Sequence, residues 1–110
     1  MAPPAKEVEW EIREGFKLTY RSFLKTFPSI KAAMTEFNRC KRAKPPQQLP
    51  GSMQDHKLDG PLRGFMDCHL DNDVVLIYKS LPNGAIRLLR VCDHSYLSGP
   101  RAKVLAKLIK

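Results

Sequence analysis

All three histidines of the 110-residue chain fall between positions 56 and 94: His56 and His69 in DHKLDGPLRGFMDCHLDNDVVLIYK, and His94 in RVCDHSYL. Histidine is the side chain whose ordinary proton affinity lies closest to neutral pH, so two or three imidazoles around one reacting group can supply both a base and an acid. Phosphodiester cleavage in RNA asks for that pair. A base takes the proton of a ribose 2'-hydroxyl, the freed oxygen attacks the adjacent phosphorus, and an acid protonates the departing 5'-oxygen. Cationic side chains stabilise the negative charge that gathers in between. No step of this scheme requires a metal. The simpler alternative for each histidine is a turn or strand residue satisfied by local hydrogen bonds.

The same residues admit a metal reading, through Cys68-His69 and Cys92-x-His94. Adjacent residues of a strand point to opposite faces, so Cys68 and His69 reach one ion only across a bulge. Three cysteines without CxxC spacing argue equally against a disulfide framework. Cys40, Cys68 and Cys92 are therefore expected to be free, buried thiols packing as small apolar groups, with no metal site and no cofactor.

Nineteen Lys and Arg against eleven Asp and Glu give a net charge of +8 and an isoelectric point near 9.7. Such a balance favours a polyanion as partner or substrate, the alternative being a solvated surface excess. The length suits one domain over residues 1–110. No apolar run approaches the ~20 residues needed to cross a bilayer, and the start MAPPAKEVEWEI lacks the pattern of a secretory signal. A soluble cytoplasmic protein with no membrane partner is expected, with residues 1–7 flexible.

The elements that must position the histidines can be read from periodicity. Val8, Trp10 and Ile12 alternate with charged residues, predicting a first strand with one buried face. Phe16, Tyr20, Phe23, Leu24 and Phe27 fall at helical spacing, and after Pro28 so do Ile30, Ala33, Met34 and Phe37, up to about Cys40: a helical hairpin. The stretch RCKRAKPPQQLPGSMQ ends the second helix and makes an irregular loop. Its cations can meet phosphates or simply complement the helix dipole. Three strands follow, near 62–69, 74–79 and 85–92, joined by turns at Asp71-Asn72 and Pro82-Asn83-Gly84, with the central VVLIYK the most buried. After Gly99-Pro100 a short helix sets Lys103, Lys107 and Lys110 on one face and Leu105, Leu108 and Ile109 on another. On a regular last strand Arg90, Cys92 and His94 would alternate onto one face, making a permanent cation the neighbour of an acid–base group.

The run DHxLxGxxxGxxDxHxxxDxxLIYK, followed by a strand ending in Arg90 and then by His94, resembles the YafQ branch of the RelE/ParE toxin superfamily. The resemblance is strong from Asp55 to Leu97, and the preceding strand and helix pair agree with the family's order of elements. It implies an α+β, RelE-like fold: an N-terminal strand and helical hairpin packed on an antiparallel sheet, with the short C-terminal helix (99–110) an extension beyond the family's usual end.

It further implies a toxin of a type II toxin–antitoxin pair, a metal-independent endoribonuclease that cuts messenger RNA in the ribosomal A site. The implied catalytic set is His56, His69, Asp73, Arg90 and His94. The expected RNA contacts are Arg39, Lys41, Arg42, Lys44, Lys57, Arg63, Arg87, Lys103 and Lys107. Family members place an aromatic four residues after the last histidine, where this chain has Ser98, so Tyr96 is the candidate to stack on a base. The implied partners are a cognate antitoxin, mRNA and the ribosome, with a monomeric free toxin and a higher-order toxin–antitoxin complex. The alternatives are a ParE-like toxin directed at gyrase, a branch that does not depend on a histidine cluster, and a degenerate homologue that only binds its antitoxin.

Overall fold

The computed structural model describes residues 8–109, so the expectations for residues 1–7 and for Lys110 lie outside the described residues. The chain runs β1 (Glu11–Ile12), α1 (Glu14–Thr26), α2 (Ile30–Arg42), β2 (His56–Lys57), β3 (Met66–Asp71), β4 (Val74–Ser80), β5 (Ile86–Asp93) and α3 (Gly99–Ile109), with short 3₁₀ turns at Gly51–Met53, Gly60–Leu62 and His94–Leu97. One five-stranded sheet has the order β1-β5-β4-β3-β2. β1 runs parallel to β5, and all other neighbours are antiparallel. The α+β expectation, with helical hairpin, sheet and terminal helix, agrees with this architecture.

The unbroken apolar run of β4 is explained by its position at the centre of the sheet, covered on both sides. Val74, Leu76 and Tyr78 point toward Phe16, Ile30, Met34, Phe37 and Cys40 of the hairpin. Val75 and Ile77 point the other way, toward Ala102, Leu105, Ala106 and Ile109 of α3. Burying both sets removes apolar area from water on two faces at once, roughly 25 cal/mol for each Å². The three cysteines are free and buried. Cys68 packs in the hairpin-side core and Cys92 in the α3-side core. Burial pushes the Cys92 thiol up to about 12 and the Cys68 thiol higher still, so both are apolar filler rather than nucleophiles.

Four expectations need correction. The first strand shrinks to Glu11–Ile12, and Val8 and Ile12 face solvent, with only Trp10 turned inward, edge-on to Phe37. The cause is α1, which starts at Glu14 and takes over the rest of the β5 edge: Thr19 Oγ1 accepts the Val91 N–H at 2.9 Å while donating to the Gly15 carbonyl at 2.6 Å. The strand near 62–69 begins only at Met66, because Gly60–Leu62 forms a 3₁₀ turn with Gly60 at φ 61° and Leu62 buried under α3. On α3, Leu108 is exposed, since the stripe 102, 105, 106, 109 fixes the buried face and position 108 falls off it. Finally, β5 is not regular. Ile77 pairs with Arg90 but Tyr78 with Leu88, so Leu89 is the extra residue of a bulge and the strand ends at Asp93, before His94.

The Thr19 contact gives a stability prediction. Thr19→Val keeps the shape but strands the N–H of the buried Val91, which is expected to cost ~1–3 kcal/mol. Thermal unfolding checks this, and a melting temperature equal to wild type would show that the β5 edge finds another acceptor.

Candidate active site

The three histidines lie near one another although they come from three different elements. His56 lies on β2, paired with Asp67 of β3, and His69 lies two residues further along β3, opposite Val75. Residues opposite each other in a ladder share a face, so His56, Asp67 and His69 stand on the α3 side of the sheet. His94 opens the 3₁₀ turn after β5, and its ring centroid is 5.4 Å from that of His69, at an interplanar angle of 50°. The His94 N–H donates to Asp73 Oδ1 at 3.3 Å, so Asp73, in the turn between β3 and β4, stands beside His94.

The group joining these elements is Asp67, which the motif contained and to which the sequence reading gave no role. It is the sole fully buried acidic residue among the described residues. Burial raises its carboxyl above the ordinary carboxylate range, and the positive fields of His56, His69 and His94 pull in the opposite direction. Its Oδ1 lies 2.9 Å from His56 Nε2, and among the described residues no other donor reaches either oxygen. The other His56 nitrogen, Nδ1, lies 2.8 Å from the Gln54 carbonyl oxygen. A carbonyl only accepts, so Nδ1 carries a hydrogen. Nε2 then faces a carboxyl oxygen, and the contact is a hydrogen bond only when ring or carboxyl holds a second proton. The His56–Asp67 pair is therefore built around a shared proton.

His56 is held in place by its neighbour. Asp55 accepts from the buried Tyr78 hydroxyl through Oδ1 and pairs with Lys41 Nζ at 2.9 Å through Oδ2. Tyr78 is inaccessible to solvent, and burial, reinforced by Asp55, pushes its phenol far above the usual tyrosine value. The two-residue strand β2 is too short to be fixed by its ladder alone, and this network ties it to β4 and α2.

The remaining predicted residues divide by surroundings. The Arg90 guanidinium runs to the first turn of α1, where a Cβ on Gly15 would sit 3.3 Å from it. Arg90 and Cys92 keep the expected alternation, opposite Ile77 and Val75, but β5 ends at Asp93, so His94 does not continue it as a strand residue. Lys41 is committed to Asp55. Arg39 pairs with Glu36 at 2.5 Å, Arg87 with Glu11, and Arg42 stacks 3.8 Å from the centroid of Trp10. Lys44, Lys57, Arg63, Lys103 and Lys107 are exposed, with no acidic group within ion-pair distance among the described residues. Tyr96 is half-buried in the 94–97 turn, with the Arg101 guanidinium 5.2 Å from its ring centroid.

Comparison with known proteins bears on what such an arrangement serves. Two curated relatives match. One is a putative YafQ toxin of Haemophilus influenzae, 52% identical over 31 residues, covering 28% of this chain and 30% of that one. The other is the mRNA interferase toxin YafQ of Escherichia coli, 39% identical over 51 residues, covering 46% of this chain and 54% of that one. The matched segments thus span at most about half the length of these relatives.

Among solved structures, the E. coli DinJ–YafQ toxin–antitoxin complex matches with a TM-score of 0.63 at 26% identity, over 86% of this chain and all of that one. A metal-bound toxin from Helicobacter pylori matches with a TM-score of 0.64 at 26% identity, over 80% of this chain and 96% of that one. No three histidine, cysteine or acidic side chains among the described residues form a cluster that could hold a metal ion. A family model for the bacterial YafQ toxin of type II toxin–antitoxin systems matches residues 8–99. The match takes in β1 through the His94 turn, every element that brings the histidines and Asp67 together, and the chain belongs to the YafQ family of type II toxins.

Proposed function

We propose that this toxin is a metal-independent endoribonuclease that cleaves mRNA in the ribosomal A site by 2'-hydroxyl attack. The observation that carries the reading is the pairing of the His69 and His94 rings at 5.4 Å beside the His56–Asp67 dyad, two imidazoles close enough to address oxygens of one phosphorus. His94, exposed on its turn, is the general acid for the leaving 5'-oxygen. His69 and His56 share the base and orienting roles, with Asp67 behind His56 and Asp73 beside His94. Arg90 adds a permanent positive charge toward the transition state. The exposed Lys44, Lys57, Arg63, Lys103 and Lys107 contact phosphates of mRNA and ribosomal RNA, while Arg39, Lys41, Arg42 and Arg87 contribute field rather than direct contacts.

The relative crystallised with DinJ supports a cognate antitoxin as the partner that silences the toxin, the free toxin being monomeric and the complex a higher-order assembly. The gyrase-directed alternative has no use for the histidine pair. The deciding experiment incubates the protein with ribosomes programmed with a defined mRNA, maps cleavage by primer extension, and examines the 3' ends for 2',3'-cyclic phosphate. Intact mRNA under these conditions would overturn the nuclease reading.

Tyr96 supplies a narrower test. Base stacking on an aromatic contributes ~1–3 kcal/mol in single-strand complexes, so Tyr96→Ala is expected to slow cleavage roughly tenfold while the melting temperature is retained. Unchanged kinetics would leave Tyr96 as cover for the sheet.

A further inference from the structure

The family match ends at residue 99, where α3 begins, yet α3 is joined directly to the turn that carries His94. That turn has few supports of its own. β5 stops at Asp93, and the His94 backbone has one long contact to Asp73. Asp93 caps the turn by accepting the Ser95 N–H at 3.0 Å and the Ser95 hydroxyl hydrogen. With its hydrogen spent on Asp93, the Ser95 oxygen can only accept at its remaining positions, and Arg101 of α3 donates to it at 2.7 Å. The same guanidinium lies against Tyr96. One cation thus grips the residues on both sides of the turn's centre, and its charge stands two hydrogen bonds from the Asp93 carboxylate.

We propose that α3 is a working part of the site, with Arg101 a positioning residue: through Ser95 and Asp93 it fixes the 94–97 turn and so sets the His94 ring against His69. The inference rests on His94 acting in the proposed cleavage. Arg101 is suited to the task because α3 is docked without it. Ala102, Leu105, Ala106 and Ile109 supply the buried face, whereas Arg101 is exposed. Its loss leaves the helix in place and frees only the turn. A catalytic group displaced by about an ångström can lose on the order of 10²-fold in rate, and a loosened rather than displaced ring is expected to lose less, about tenfold.

The test uses the full chain labelled with 13C-histidine, with ring resonances assigned through single His→Gln variants. In Arg101→Ala the His94 and His69 ring signals are expected to shift and broaden while those of His56 stay. In the ribosome assay kcat is expected to fall about tenfold with KM little changed, and the melting temperature to stay at the wild-type value. Arg101→Lys keeps a cationic donor for Ser95 and is expected to recover most of kcat, whereas Arg101→Met is not.

A phosphate contact would instead raise KM and flatten the salt dependence while sparing kcat and the resonances, and that outcome overturns the proposal. So do unmoved His94 signals, or a fall in melting temperature that Arg101→Lys does not repair. Should the wild-type protein cleave nothing, the nuclease reading fails by itself and the ring signals alone decide whether Arg101 positions His94.

Discussion

His94→Ala is expected to lower the rate of ribosome-dependent mRNA cleavage by 10²–10⁴, the ordinary cost of a lost general acid or base, and to abolish toxicity on induction. The fold is expected to survive intact. His94 is exposed, its backbone N–H contact to Asp73 is kept by any residue, and its side chain makes no hydrogen bond among the described residues. His94→Gln separates proton transfer from shape, since it keeps a hydrogen-bonding tip that cannot shuttle a proton, and is expected to be almost equally inactive. Cleavage rates of both variants, with thermal unfolding alongside, check the prediction. Full activity in both would remove His94 from the chemistry and leave the His56–Asp67 pair and His69 to carry it.

The parts of this site legible in the sequence were those whose signal is local. The hairpin announced itself through helical spacing, and β4 through an apolar run that only a strand covered on both faces requires. The histidines were legible as a set because they are rare residues in a spaced motif. What the sequence did not disclose depends on contacts between distant segments. Arg90 reads as a strand neighbour of His94 until β5 ends at Asp93 and His94 turns off into the 3₁₀ turn. Lys41 reads as one cation among four, and only the approach of the loop to Tyr78 commits it to Asp55.

Val8 and Ile12 carry a strand pattern, yet α1 starts at Glu14 and only Glu11 and Ile12 pair with β5. Asp67 did leave a trace, an acidic residue in the middle of a buried strand within FMDCHL. Such a residue is costly without a partner, and that cost is the signal by which it could have been found.

Asp67→Asn is expected to cut cleavage by on the order of 10²–10⁴ as well, for a different reason. The amide keeps the size of the carboxyl but can neither take up nor give back the proton that the pair shares across the 2.9 Å contact to His56 Nε2. His56→Gln is expected to be similarly slow, and the double variant no slower than either single one, because both changes disable one unit. Stability responds with its own sign. Burial raises the Asp67 carboxyl in the folded chain, so between the ordinary aspartate value of ~3.9 and the raised one the folded state holds a proton that the unfolded state has released. The stability contributed by neutral Asp67 is therefore fully present below the unfolded value and is lost as pH rises through that window. Asparagine does not titrate. Relative to Asp67→Asn, the wild-type melting temperature is expected to decline as the pH is raised from 4 toward 7. A difference constant across that range would place the carboxyl at its ordinary value and the shared proton elsewhere, whereas a wild-type cleavage rate in Asp67→Asn would reduce the His56 contact to packing.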